Sequence, residues 1–297
     1  PEQRVDMLIW VGNIEMRLGD YDAGVNHFYE AVEICRKHKF GESHELKKYL
    51  MRARHALGWG HRMIGNYDIA IEEYEMAHEL SIAVEDQLEE AWILNDLAFA
   101  HTRQGNPDGA VKLAELAEKI WRKLDNKQGL GALYHEYSEI SMRRGKTEEA
   151  ISYGNKALEL FEAKGDVDWK YRIYISRGSC YWQRAYLEVI EGNIPTAEEH
   201  LNRAEDDMRK ALDSKGRHKM NALNYLGQIY LTRDYITPGK FIDRALEYFE
   251  EAYELGKKAS FNVIQLHALT YLVEIARRKG QTELFEYFEG EYQDYLE

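Results

Sequence analysis

The chain has 297 residues, 44% of them hydrophobic and 31% charged, with a formal net charge of −13 at pH 7. That acidity argues against a whole-molecule nucleic-acid or membrane-surface binder and leaves room only for a local basic patch. There is no long apolar run and no signal-peptide pattern. The two cysteines, Cys35 and Cys180, sit inside helical patterns, so the expectation is a soluble, unsecreted, cytoplasmic protein with reduced core thiols.

Helical periodicity starts almost at Pro1, which predicts a segment of a longer chain. The first helix pair is predicted over Val5–Leu18 and Tyr21–His38, the second over Glu45–Ile64 and Tyr67–Val84. The third follows over Leu88–Gln104 and Asp108–Leu124, with Pro107 at a helix start, where its missing N–H costs nothing. The fourth covers Gly129–Arg144 and Thr147–Lys164, and Thr147 with Glu148 and Glu149 resembles a capped, acidic helix start. A fifth pair, Val167–Glu191 and Thr196–Ser214, and a sixth, Arg217–Asp234 and Gly239–Ala259, are longer. The seventh, Asn262–Lys279 and Thr282–Leu296, is degenerate and charged, as a terminal cap would be. No stretch alternates with a period of two, so no strand is predicted.

A small residue recurs inside the first helices: Gly12, Gly58, Ala98, Ser138, Gly178 and Gly227, in steps of 46, 40, 40, 40 and 49 residues. A second series, Gly24, Ala70, Ala110, Ala150, Ala197 and Ala245, stays in phase with it across the second helices. Two series in phase at such a period mark a helical solenoid. The gap between the series is 12 residues in the first four pairs, then 19 and 18. The fifth and sixth pairs share the figure Gly178-x-x-Tyr181-x-x-Arg184-x-Tyr186 and Gly227-x-x-Tyr230-x-x-Arg233-x-Tyr235. The predicted fold is all-α: a right-handed α-solenoid of about seven antiparallel pairs in one array over 1–297. Regular repeats fill 1–165, longer ones 166–260 and the cap 261–297. The helix at Val167–Glu191 is expected to be the longest.

Leu57, Gly58, Tyr67, Ala70, Tyr74 and Ala77 carry a resemblance to the tetratricopeptide repeat: large, small, aromatic, small, aromatic, small. The likeness covers nearly the whole chain and departs from the family at His61, where an aromatic is common, in the missing proline after the second helix, and in its long period. Long periods of this kind resemble the repeats of kinesin light chains, of peptide-sensing bacterial regulators and of the sensor arrays in maltose-regulator-like signal-transduction ATPases. The resemblance implies a binding module, foremost the sensor region of a multidomain signalling ATPase. The alternatives are a constitutive assembly scaffold and a quorum-type peptide-sensing regulator.

Catalytic signatures are absent. Pro238-Gly239-Lys240 lacks the glycine-rich approach of a phosphate loop, and there is no His-Glu-x-x-His or Cys-x-x-Cys. The expectation is a non-enzyme with no metal and no cofactor. Glu72-Glu73 and Glu148-Glu149 are expected to be solvated faces.

The resemblance also implies that first helices line the concave face. One column would be Ile9, His55, Asn95, His135, Ile175, Asn224 and Thr270, and a neighbouring one Asn13, Trp59, Phe99, Glu139, Ser179, Gln228 and Glu274. Arg52, Trp92, Arg172 and Asn221 lie one turn earlier. Arg17, Arg62, Arg103, Arg143 and Trp182 lie one turn later. The binding candidates are Arg52, His55, Trp59, Arg62, Trp92, Asn95, Phe99, Arg103, His135, Arg143, Arg172, Trp182, Asn221 and Asn224. Arginines would draw an anionic group, tryptophans give flat contact, and Asn95 fixes orientation. Each has a plainer role available: tryptophans filling gaps between helices, arginines complementing helix C-termini, asparagines merely solvated. The expected partner is a peptide, a protein segment or a small anionic ligand, with no direct nucleic acid and no membrane.

Overall fold

The computed structural model describes residues 1–164, 166–259 and 262–296, and among these there are helices, one 3-10 turn and no strand. The chain forms an all-α solenoid of antiparallel helix pairs, divided into two compact units, Pro1–Leu160 and Phe161–Glu297.

The first unit holds α1 (Glu2–Leu18), α2 (Tyr21–Lys37), α3 (Lys47–Met63), α4 (Tyr67–Ala83), α5 (Gln87–Gln104), α6 (Pro107–Lys123), α7 (Lys127–Arg143) and most of α8 (Thr147–Lys164). Helix starts follow local chemistry. The side chains of Asp20, Asp86, Asn106 and Asn126 accept the backbone N–H three residues on, at 2.9–3.2 Å, and such a cap contributes about 1 kcal/mol. The predicted capping role of Thr147 is not seen: it is the first helical residue, and Lys146 before it accepts the Ala150 N–H with its carbonyl. Within a pair the chain turns through a left-handed residue, as at Gly105 (φ 92°), which satisfies the last helical carbonyls. The long first step of 46 residues comes from the connection between α2 and α3, where the 3-10 turn Phe40–Glu42 tucks the Phe40 ring against Tyr49.

The small-residue series marks where paired helices touch. A Cβ at Gly58 would lie 2.7 Å from the Tyr74 ring and 3.2 Å from the Ala70 carbonyl, so the two backbones have no room for more. Ser138 takes the same position in α7 by donating its hydroxyl to the Ala150 carbonyl at 2.8 Å. Around these contacts Ala70, Ala77, Ala110, Ala114, Ala117, Trp121 and Tyr74 are fully buried. Each large side chain so buried contributes about 1.5–3 kcal/mol. Glu72 is solvated as expected, but Glu73 is not. It is buried and accepts from Arg54 at 2.7 Å, which ties α3 to α4 and compensates both charges.

The second unit holds α9 (Val167–Ile190), α10 (Ile194–Ala211), α11 (Gly216–Ile236), α12 (Ile242–Ala259), α13 (Asn262–Lys279) and α14 (Thr282–Leu296). At 24 residues α9 is the longest helix, and α11 follows with 21. The extra residues of the fifth pair therefore extend the helix instead of forming a loop. The shared Tyr-x-x-Arg figure serves two ends. Arg184 pairs with Glu188 of its own helix at 2.5 Å. Arg233 reaches back to α10, donating to Glu205 and, at 2.7 Å, to Asn202. Arg177 donates twice to buried Asp207, at 2.8 and 2.6 Å, and closes α9 on α10. Cys35 and Cys180 are both buried, and burial pushes Cys35 up to about 12, which keeps its thiol protonated and unreactive.

Candidate functional site

A cleft of about 340 Å³ opens on the first unit, lined by Ile9 and Asn13 of α1, by Arg52, His55, Ala56 and Trp59 of α3, and by Glu89, Trp92 and Asp96 of α5. Every lining residue comes from the first helix of a pair. Its size is that of a site for a small ligand or a peptide side chain. A larger hollow of about 700 Å³ lies beside the Val84–Leu88 turn, lined by turn residues with Lys48, Ile82, Glu90 and Leu124, and it has no aromatic wall.

The two tryptophans each serve both packing and surface. Trp59 is half-buried, with its ring 6.1 Å from Phe28 of α2. Trp92 is half-buried and stands edge-on to the fully buried Trp121 of α6, ring centres 4.9 Å apart. One part of each indole anchors in the core and the rest faces the cleft, so both wall positions are rigid.

The charges are arranged as alternating pairs that run from helix to helix. Arg52 of α3 donates to Asp6 of α1 at 2.7 Å. His55 is bracketed by two carboxylates of α5: Nε2 is 3.0 Å from Asp96 Oδ2 and Nδ1 is 3.5 Å from Glu89 Oε2. Burial alone would lower the His55 pKa, but the hydrogen bonds to Asp96 and Glu89 outweigh it and raise it to about 9, so the imidazole is charged at neutral pH. The same contact with His55 holds Glu89 below the usual carboxylate range. Arg62 reaches Asp96 at 3.4 Å and lies over the Phe99 ring at 4.6 Å. Arg103 lies 5.0 Å from the same ring centre and donates to Glu139 of α7 at 3.1 Å. Next to them Glu136 is buried, and desolvation, reinforced by Glu139 and opposed by Arg103 and Arg62, pushes it up to about 8.

The expected cationic patch is thus corrected: Arg52, Arg62 and Arg103 each face a carboxylate of a neighbouring helix, and the surface is a ladder of opposite charges. Asn95 is also corrected as a groove amide. It is buried and accepts the Trp121 indole N–H at 3.4 Å, turned toward α6. Asn224 is likewise buried on α11, donating to the Ile264 carbonyl of α13 at 3.2 Å. Of the other candidates, His135 is half-buried on α7 and Arg143 is exposed at its end. On the second unit Arg172 lies 5.2 Å over Trp169, Trp182 donates to Thr232 at 3.0 Å, and Asn221 is half-buried. The cleft gathers Arg52, His55, Trp59 and Trp92, and does not include the rest.

The tetratricopeptide repeat family model matches this chain at residues 3–83, 49–123 and 89–163. The chain belongs to that family. Regulatory protein RapG of Bacillus subtilis (strain 168) is 24% identical over 189 residues, covering 60% of this chain and 49% of RapG, so the chain spans about half the length of that curated relative. The apo form of the quorum sensor NprR from B. thuringiensis superposes with a TM-score of 0.64 at 15% identity, over 99% of this chain and 77% of NprR. The tetratricopeptide repeat sensor protein PH0952 of Pyrococcus horikoshii, a signal transduction ATPase with numerous domains, superposes with a TM-score of 0.58 at 17% identity, over 96% of this chain and 41% of its own. At these identities the structural likeness speaks for the fold alone.

In this repeat protein the cleft residues not singled out in the sequence are Ala56 and the acids Glu89 and Asp96, and behind the lining stand Asp6, which holds Arg52, and Tyr74. Tyr74 stands edge-on to His55, ring centres 5.6 Å apart, from the second helix of the pair. Its hydroxyl is buried without a hydrogen-bond partner among the described residues. A signal for Asp96 was present: it sits beside Asn95, one helical step from the column assigned to the groove. Among the described residues there is no cluster of metal-ligating side chains, and no helix is long and apolar enough to cross a membrane.

Proposed function

We propose that this repeat chain is a regulatory binding module whose first-unit cleft holds an extended peptide or a segment of a partner protein. The observation that carries this reading is the pair of half-buried indoles, Trp59 and Trp92, set with Ile9, Asn13, Arg52, His55, Glu89 and Asp96 around one hollow. Rigid aromatic walls give a ligand contact area without an ordering cost, and charges of both signs give it a register. A peptide fits this mixture better than a purely anionic small molecule, because the Arg52 guanidinium of the cleft is already faced by Asp6 and His55 by Glu89 and Asp96.

The module acts as the sensor of a larger signalling assembly, with ligand occupancy biasing the state of that assembly. The likeness to a tetratricopeptide repeat sensor within a signal transduction ATPase supports this reading. A second reading, a peptide-sensing regulator of quorum type, is favoured by the similarity to RapG and NprR. Both use the same cleft.

The test is selection of a random heptapeptide library on the purified chain, run in parallel on a Trp59→Ala/Trp92→Ala variant. The expected result is a family of related sequences retained by the wild type and lost by the variant, whose helical content is unchanged. An empty selection, or the same sequences retained by both proteins, would overturn the reading.

A further inference from the structure

We infer that the cleft takes a basic side chain of its ligand, a guanidinium or ammonium group, between Trp59, Trp92, Glu89 and Asp96, in exchange for the proton of His55. This rests on the peptide-binding reading and names the chemistry that reading leaves open.

The charges at the site differ in whether they can leave. The groups facing His55 are Glu89 and Asp96 from α5, Tyr74 from α4, and Arg52 and Arg62 along α3 itself, with Asp6 of α1 holding Arg52. Arginine keeps its charge in any accessible pH range, so Arg52 and Arg62 remain as counter-ions to Asp6 and Asp96. The imidazolium of His55 is different. It can give up its proton, and it stands between the two carboxylates that line the cleft. A ligand cation placed on those carboxylates removes the reason for His55 to stay charged, and mutual repulsion drives the proton off. An anion entering the same place would instead hold the proton on.

Three features of the cleft favour the cation. Glu89 and Asp96 keep about a quarter to a third of their side-chain surface exposed while reaching His55, and Asp96 also reaches Arg62, so both carboxylates present oxygen surface to the cleft. Trp59 and Trp92 supply indole faces, the aromatic surface on which cations bind best. Beneath the cluster, the Tyr74 hydroxyl is fully buried, feels both Asp96 and Arg62, and has no hydrogen-bond partner among the described residues. Burial and Asp96 raise its pKa well above the ordinary range, so it stays neutral and adds no negative charge of its own beneath the site.

The linkage has a definite sign. His55 holds its proton up to a pKa of about 9. Binding that displaces one proton therefore weakens about tenfold for each unit the pH falls below that value and levels off above it. An anionic ligand gives no gain with rising pH, or the reverse.

The experiment uses the full chain and three small probes: N-acetyl-argininamide, N-acetyl-glutaminamide and the amide of N-acetyl-glutamate. Tryptophan fluorescence reports binding at pH 6.5 and pH 9.5, and the His55 ring signals are followed by NMR across that range. The inference expects the arginine probe to bind on the order of a hundredfold more tightly at pH 9.5 than at pH 6.5, and to lower the apparent pKa of His55. The neutral and acidic probes do neither. Calorimetry in buffers of different ionisation enthalpy should count about one proton released per arginine probe near pH 7.5. In His55→Gln, which keeps a hydrogen-bonding group toward Asp96, binding of the arginine probe loses its pH dependence. If that variant does not fold, the proton count on the wild type decides. Binding of the glutamate probe with His55 pKa rising, or arginine-probe binding indifferent to pH, overturns the inference and leaves peptide binding standing. No response to any probe, with library peptides still captured, overturns it as well. No response together with an empty library selection brings down both.

Discussion

His55 Nε2 lies 3.0 Å from Asp96 Oδ2, across 41 residues of chain and from the first helix of one repeat to the first helix of the next. Asp96 also faces Arg62 at 3.4 Å, so one carboxylate serves two cations of α3. The contact fixes the spacing of α3 and α5 at the cleft and sets the protonation state of its one titratable base.

Asp96→Asn takes from half-buried Arg62 its carboxylate at 3.4 Å and from His55 the nearer of its two acidic partners. The expected cost is about 1–3 kcal/mol, since a buried charge loses its compensation. Urea unfolding followed by helical signal measures it. A midpoint shift equivalent to less than about 0.5 kcal/mol would show the contact to be a loose surface pair.

Stability should fall as pH rises above neutral. A histidine whose folded pKa is raised stabilises fully below its unfolded value of 6.5 and loses that contribution as pH climbs to about 9. Glu136 acts in the same direction: with a folded pKa of about 8 against an ordinary 4.5, the folded chain favours its protonated form and is penalised as pH rises between the two values. At about 1.4 kcal/mol per pKa unit, and about two units from each group over this range, they together predict a loss of about 5 kcal/mol between pH 6 and pH 9. In Glu136→Gln part of that loss disappears, leaving the variant at least as stable as wild type at pH 9. Urea midpoints at the two pH values test this, and a flat wild-type profile contradicts it.

Ala70→Trp places an indole where the Ala70 carbonyl already sits within 3.2 Å of a Cβ built on Gly58. Ala70 is fully buried, so the pair must separate. Destabilisation of about 1–3 kcal/mol or more is expected. Thermal unfolding of the variant checks it, and an unchanged midpoint would mean that the two helices are not packed as closely as described.

The repeat frame was legible because close packing forces small residues to recur: the Gly58–Ala70 and Ser138–Ala150 contacts fall at the same 12-residue offset. The length of α9 followed from the break in that offset, which for the sixth pair left a longer helix and a longer connection both open. The cleft was legible only in part. Counting repeats placed His55, Trp59 and Trp92 on the inner helices, but a side chain turns by about 100° with each residue of a helix. Asn95 and Asp96 therefore part company, one into the core against Trp121 and the other into the cleft. The acids that neutralise the arginines come from the next repeat, and nothing local in the sequence pairs Arg62 with Asp96 or Arg103 with Glu139. Glu73 was hidden for the same reason: its partner Arg54 lies on the other helix of the pair.

The most direct test of the account is photocrosslinking of a library-selected peptide to the chain. Benzoylphenylalanine is placed either at Ala56, inside the cleft between Trp59 and Arg52, or at Ile82, in the larger hollow beside the Val84–Leu88 turn. The account predicts efficient crosslinking from position 56 and background from position 82. Crosslinking from position 82 alone, or equally from both, would contradict the assignment of binding to the first-unit cleft.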